Sequence, residues 1–146
     1  LRASDLADHS STWVEPVNTD FGGYQLFELP PNGQGIVALE MLNILEGYDL
    51  ARLGHNSAEY IHLLTEAKKL AYTDRDSFVT DLDVRKLPVE QLISKEYASR
   101  QRARIDTNRA QSFPESMLDI GDDTGQTIIR LQANRQQARS KGLAIG

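Results

Sequence analysis

The sequence contains no cysteine. That excludes a disulfide framework, a thiolate metal site and a cysteine nucleophile, and it leaves the compartment open. No apolar run approaches the roughly 20 residues that a membrane-crossing helix requires. No leader pattern is visible either. The chain opens on Leu1-Arg2-Ala3 without an initiator Met, so the natural protein is expected to begin upstream. Positive charge is not in excess. The net charge of −5 argues against nucleic acid as a partner, because a duplex-binding face needs clustered Lys and Arg to displace counterions. The arginine-rich stretches at 100–109 and 130–141 read as solvated helix faces.

Metal chemistry is equally thin. His9, His55 and His62 form no constellation: His62 falls on a helix, with no second His or Cys three or four positions on. Asp74-Arg75-Asp76, with Asp81 and Asp83 nearby, is the densest acidic group. A calcium loop would add a central Gly and a terminal Glu. Both are missing, so the group reads as a helix end with local ion pairs. No Ser-His-Asp set can be assembled from spacing, and no cofactor is indicated.

What is present is an ordinary globular composition, 40% hydrophobic and 25% charged over 146 residues, enough for one domain with a modest core. Ser4-Asp5-Leu6-Ala7-Asp8-His9 reads as a short helical turn capped by Ser4. Residues 12–17 and 24–29 are rich in β-branched and aromatic types and flank turn-forming residues 18–23, which predicts a β-hairpin. Pro16 confines its strand to an edge. Pro30-Pro31 stops the second strand. Asn32-Gly33-Gln34-Gly35 then leads into a helix over 36–46, apolar nearly all round and therefore expected to be buried on most sides within a larger body, with Gly47 as its stop. The glycines before it have two readings: free N–H groups that cradle an anion or carboxylate, or a tight turn with close helix packing. The spacing is not that of a phosphate loop. Asn56, with Glu59 as reciprocal partner, predicts the cap of a long helix running to about residue 78. Residues 80–83 read as loop. Pro88 suits the first turn of a third helix that reaches about residue 105. Residues 108–125 are weakly patterned, and 127–141 form a weak amphipathic helix.

The stretch Glu28-Leu29-Pro30-Pro31-Asn32-Gly33-Gln34-Gly35-Ile36-Val37-Ala38-Leu39-Glu40-Met41-Leu42-Asn43-Ile44-Leu45-Glu46-Gly47 resembles a signature of the γ-glutamyltransferase family. Flanking segments agree in order and spacing. Ser4 to Ala7, Trp13-Val14-Glu15-Pro16-Val17 with Gly23-Tyr24, and Glu66 through Asp74-Arg75-Asp76 all take part, as do Leu87-Pro88-Val89 through Tyr97-Ala98 and Ile105-Asp106. The resemblance implies an α+β chain, mainly helical with one β-hairpin, forming part of an αββα N-terminal-nucleophile hydrolase sandwich. Residues 1–106 would be the later part of the large subunit, and 107–146 a variable linker or diverged tail.

Members of this family are precursors that cut themselves into two subunits. The new N-terminal Thr of the small subunit attacks a γ-glutamyl carbonyl, with its own amine as base. The acyl group then passes to water or an amine, and glutathione is the usual donor. The substrate carboxylate is held by an Arg early in the large subunit, and the oxyanion hole comes from the small subunit. None of these positions falls in the matching segment, so no catalytic, substrate-binding or metal residue is assigned. Thr124 and Thr127 stand where a processing Thr is expected, yet residues 130–146 do not resemble the family's next strand, so both read as loop residues. The expected partner is the small catalytic subunit of the same precursor.

Three readings are open on these grounds. The first is a large-subunit piece, inactive alone, of an enzyme that cleaves γ-glutamyl amides such as glutathione. The second is a truncated, non-enzymatic remnant that self-associates. The third is a related glutaryl or cephalosporin-type acylase. A periplasmic or extracellular place fits the family, and a cytoplasmic one is also open.

Overall fold

Two consecutive glycines set the first pair of elements. Gly22 and Gly23 have φ of 59° and 85°, the left-handed region that a two-residue hairpin turn requires at both positions. Strand β1 (Val17–Phe21) and strand β2 (Tyr24–Glu28) therefore pair at once, antiparallel, with Phe21 opposite Tyr24 and Val17 opposite Glu28. This corrects the expected strands. Asn18, Thr19 and Asp20 belong to β1 rather than to the turn, and residues 12–16 are exposed and precede the strand. The computed structural model describes residues 2–79 and 87–118. The expected loop at 80–83, Asp81 and Asp83, Thr124, Thr127 and the helix expected over 127–141 lie outside them.

The remaining elements are helical: α1 (Ala3–Ala7), α2 (Gly35–Leu45), α3 (Leu50–Leu53), α4 (Ala58–Phe78), α5 (Val89–Leu92) and α6 (Lys95–Arg102). Helix α2 is the hub. It packs on α4, on α6 and on both strands, and Ile36, Val37, Leu39, Ile44 and Leu45 are buried. The core forms where its C-terminal half meets Leu63, Ala67 and Leu70 of α4 and Ala98 of α6. The expectation of a helix buried on most sides thus holds, and hydrophobic burial is its driving force.

Three helix boundaries differ from expectation. The cap of α4 is Ser57, whose Oγ accepts from the Tyr60 N–H at 3.1 Å. Asn56 instead takes a left-handed conformation, φ 58°, which Asn tolerates. Likewise α1 is capped at Arg2 rather than Ser4, with the Arg2 N–H donating to Asp5 at 2.8 Å. The third helix is two pieces. Ser94 breaks it, accepting from the Tyr97 N–H at 3.1 Å and donating to the Gln91 carbonyl at 2.8 Å. The Ile93 carbonyl left over accepts from Asn43 Nδ2 at 2.7 Å.

A compact unit runs from Leu1 to Glu115. Its last residues lie along α4. His62 Nε2 lies 2.8 Å from the Asp106 carbonyl oxygen, Lys69 Nζ donates to that of Gln111 at 2.7 Å, and Thr73 Oγ1 donates to that of Pro114 at 3.2 Å. Within the second unit, the Leu118 N–H donates to Ser116 Oγ at 3.3 Å.

Candidate functional site

Three polar constellations sit on α2, one at each end and one in the middle. At the N-terminus is the turn with Gly33 and Gly35. A Cβ on Gly35 would lie 2.5 Å from a carboxylate oxygen of Glu28 and 2.7 Å from its Cβ. Close approach of β2 to the helix therefore explains that glycine, which supports the packing reading of the turn. Gln34 Oε1 accepts from Arg75 at 3.3 Å, while Arg75 stacks 4.1 Å from the Tyr72 ring centroid and pairs with Asp76 at 2.7 Å. The ion pair expected of Asp74-Arg75-Asp76 is thus present between its last two members.

Asp74 faces the other way, into the second constellation. It is fully buried, as is Gln101, and Glu40 is 1% exposed. Asp74 Oδ2 accepts from the Tyr97 hydroxyl at 2.6 Å and from Gln101 Nε2 at 2.7 Å. Glu40 hydrogen-bonds to Asp74. Burial pushes the Glu40 carboxyl well above the usual carboxylate range, and the neighbouring charge of Asp74 adds to the rise. Sequence reading missed this group. Its only signal was a Glu and an Asn, Glu40 and Asn43, three apart in an otherwise apolar helix.

The third constellation serves the C-terminal end of α2. Asn43 Oδ1 accepts from Thr19 at 2.6 Å and from Lys95 at 2.7 Å, which joins β1 and α6 to α2. Lys95 also reaches Glu46 at 2.7 Å and the Asp20 carbonyl at 2.6 Å. The last four carbonyls of a helix have no intrahelical partner. Here the Leu42 carbonyl accepts from the Glu46 N–H at 2.9 Å and that of Leu45 from the Tyr48 N–H at 3.0 Å. The carbonyls of Ile44 and Asn43 each accept from the Arg102 guanidinium at 2.8 Å. Arg102 and Arg104, which donates to Gln101 Oε1 at 2.7 Å, are therefore engaged in internal contacts, which corrects the solvated face expected of 100–109 at these two positions, while Arg100 and Arg109 are exposed.

The Tyr97 hydroxyl and the Asp74 carboxylate meet inside the core, where both residues are fully buried and closed to a substrate. On an exposed stretch, Ser11 Oγ lies 3.5 Å from His9 Nε2. Among the described residues no three His, Cys, Asp or Glu are placed to hold a metal ion. Chemically, the polar groups join helix to helix and helix to hairpin. They define an α+β fold built around one buried helix.

Comparison with known proteins identifies the family. The sequence model of the gamma-glutamyltranspeptidase family matches residues 1–139, and the chain belongs to that family. The glutathione hydrolase-like YwrD proenzyme of Bacillus subtilis (strain 168) is 37% identical over 129 residues, which is 88% of this chain and 24% of that protein. The chain therefore spans about a quarter of the length of this curated relative. Its structure superposes on the gamma-glutamyltranspeptidase of Helicobacter pylori with a TM-score of 0.75, at 29% identity, over 83% of this chain and 36% of that one. It also superposes on cephalosporin acylase from Bacillus halodurans with a TM-score of 0.65, at 42% identity, over 73% of this chain and 19% of that one. The fold is thus the helical and hairpin part of the N-terminal-nucleophile hydrolase architecture these proteins share.

Proposed function

We propose that this chain is the supporting part of the large subunit in a self-processing enzyme that cleaves γ-glutamyl amides, glutathione among them, and passes the γ-glutamyl group to water or an amine. The carrying observation is the family match over residues 1–139, joined to polar constellations that tie helices to one another and to the hairpin. On this reading residues 1–106 are the support and 107–146 the linker. The partner is the small subunit cut from the same precursor, whose N-terminal Thr supplies nucleophile and base. Neither nucleic acid nor a cofactor is required. Among the described residues no helix is long and apolar enough to cross a membrane.

The acylase reading has its own support in the 42% identity to cephalosporin acylase from Bacillus halodurans. The two differ in one substrate group, because a glutaryl amide lacks the α-amine of a γ-glutamyl amide. The complete protein, assayed on matched γ-glutamyl and glutaryl anilides, is expected to turn over the γ-glutamyl compound. Turnover of the glutaryl compound alone would establish the acylase reading, and turnover of neither would overturn both.

Self-association is the expectation of the remnant reading. Trp13, Tyr24, Phe27 and Leu29 are exposed apolar groups on the N-terminal side, and covering them is favourable. In the proposed enzyme the rest of the protein covers them. The 146-residue chain alone is then expected to lack turnover, and light scattering will show whether it pairs with itself.

A further inference from the structure

The buried acid pair calls for a proton. Glu40 on α2 and Asp74 on α4 are in hydrogen-bonding contact, 1% and 0% exposed. Two ionised carboxylates cannot share such a place, since burial and like charge both oppose the second ionisation. The donors single out one acid as the acceptor. The Tyr97 hydroxyl and Gln101 Nε2, both from α6, point at Asp74 Oδ2. Gln101 Nε2 also donates to the Tyr97 oxygen at 2.9 Å. Among the described residues Glu40 Oε1 has no hydrogen-bond partner. Asp74 is thus the acceptor at the centre, and a protonated Glu40 adds to its ring of donors.

No hydrogen bond from the neighbouring described cations reaches either carboxylate, although Arg100 lies over the Tyr97 ring, 5.6 Å from its centroid. Arg104 meets the Gln101 oxygen and the Glu115 carbonyl, and Arg75 meets Gln34 and Asp76. Lys95 and Arg102 serve the far end of α2. From β2, Glu28 lies against Gly35; β1 contributes its Asp20 carbonyl to Lys95.

We propose that Glu40 carries a proton at neutral pH and donates it to Asp74, so that the junction of α2, α4 and α6 is a latch that loosens when alkali removes that proton. The shared hydrogen joins α2 to α4, and the Tyr97 and Gln101 donors join α6 to the same Asp74 carboxylate. Losing that hydrogen leaves two buried negative charges in contact, which drives the helices apart or admits water.

The sign of the pH dependence comes from linkage. Glu40 titrates higher in the folded chain than in the unfolded one. Its contribution to stability is therefore full below the ordinary Glu range. It declines as pH rises above that range, and it is lost once the folded carboxyl itself ionises. Glu40→Gln keeps a donor toward Asp74 and removes the ionisation. Thermal midpoints of the full protein and of E40Q, compared from pH 5 upward, are expected to diverge in favour of E40Q. The folding equilibrium shifts by about tenfold per pH unit while the latch is closed, and the gap then levels off.

Parallel curves would overturn the proposal, since a merely structural Glu40 costs the same at every pH. So would a calcium-dependent midpoint in the parent that E40Q lacks, because a cation would then hold the pair. Infrared spectroscopy needs no variant. A protonated-carboxyl band that is present at neutral pH, shifts in heavy water and vanishes in alkali supports the latch, and absence of that band at neutral pH contradicts it.

Discussion

Placing a methyl group on Gly47 tests how α2 ends. Gly47 lies just past the helix, and a Cβ there would run into the Arg102 guanidinium. That guanidinium satisfies the Asn43 and Ile44 carbonyls, and its charge suits a helix C-terminus. Hydrogen bonds to charged groups contribute about 1.5–3 kcal/mol each. Arg102 is half-buried, so solvent screening places the pair at the lower end, about 2–3 kcal/mol together. Against this, Gly→Ala restricts the unfolded chain and returns about 0.5 kcal/mol. G47A is therefore expected to destabilise by about 2 kcal/mol, and R102A by a similar amount, since either change strips the same two carbonyls. Urea denaturation of the single and double variants checks this. In the double variant the methyl group meets empty space, so the two losses do not add and a coupling of about 2 kcal/mol appears. Additive losses would refute the account, because they would mean that Gly47 is required for something other than room for Arg102.

The same contacts give three further expected outcomes. N43A strands the Thr19 hydroxyl, the Ile93 carbonyl and one partner of Lys95, and is expected to lower stability by about 2–4 kcal/mol by denaturant titration. G35A forces Glu28 and β2 away from α2, an overpacking cost of about 1–3 kcal/mol, and hydrogen exchange should show the hairpin opening more often while α4 stays protected. Tyr48 is raised by burial and lowered by Arg102, so R102A is expected to move its phenol titration, followed by ultraviolet absorbance, further up. In the parent chain the raised Tyr48 contributes stability below the ordinary Tyr range and loses it as alkali passes its folded value.

Much of the frame is legible in residue order because it is local. The apolar run 36–45 and the helical spacing of Leu63, Ala67 and Leu70 need no distant partner to be recognised. Element ends were harder. Asn56 and Ser57 are both good caps, and only the left-handed turn at Asn56 decides between them. The break at Ser94 depends on Asn43, 50 residues away from Ile93, so no window of neighbouring residues contains it. Reading Asn18, Thr19 and Asp20 as turn residues was sound propensity overruled by Gly22-Gly23, which close the hairpin in two residues. The polar constellations were the least legible part. Asp74 and Asp76 look equivalent in sequence, yet one is fully buried and the other pairs with Arg75 in partial exposure, because α4 turns them to different faces.

The central claim, that this chain supports a self-processing γ-glutamyl enzyme, is tested most directly by intact mass and N-terminal sequencing of the protein made from its natural, untrimmed gene. The account expects two chains, the first containing this sequence and the second beginning with Thr. A single uncut species, or a second chain beginning with a residue that carries no nucleophile, would contradict it.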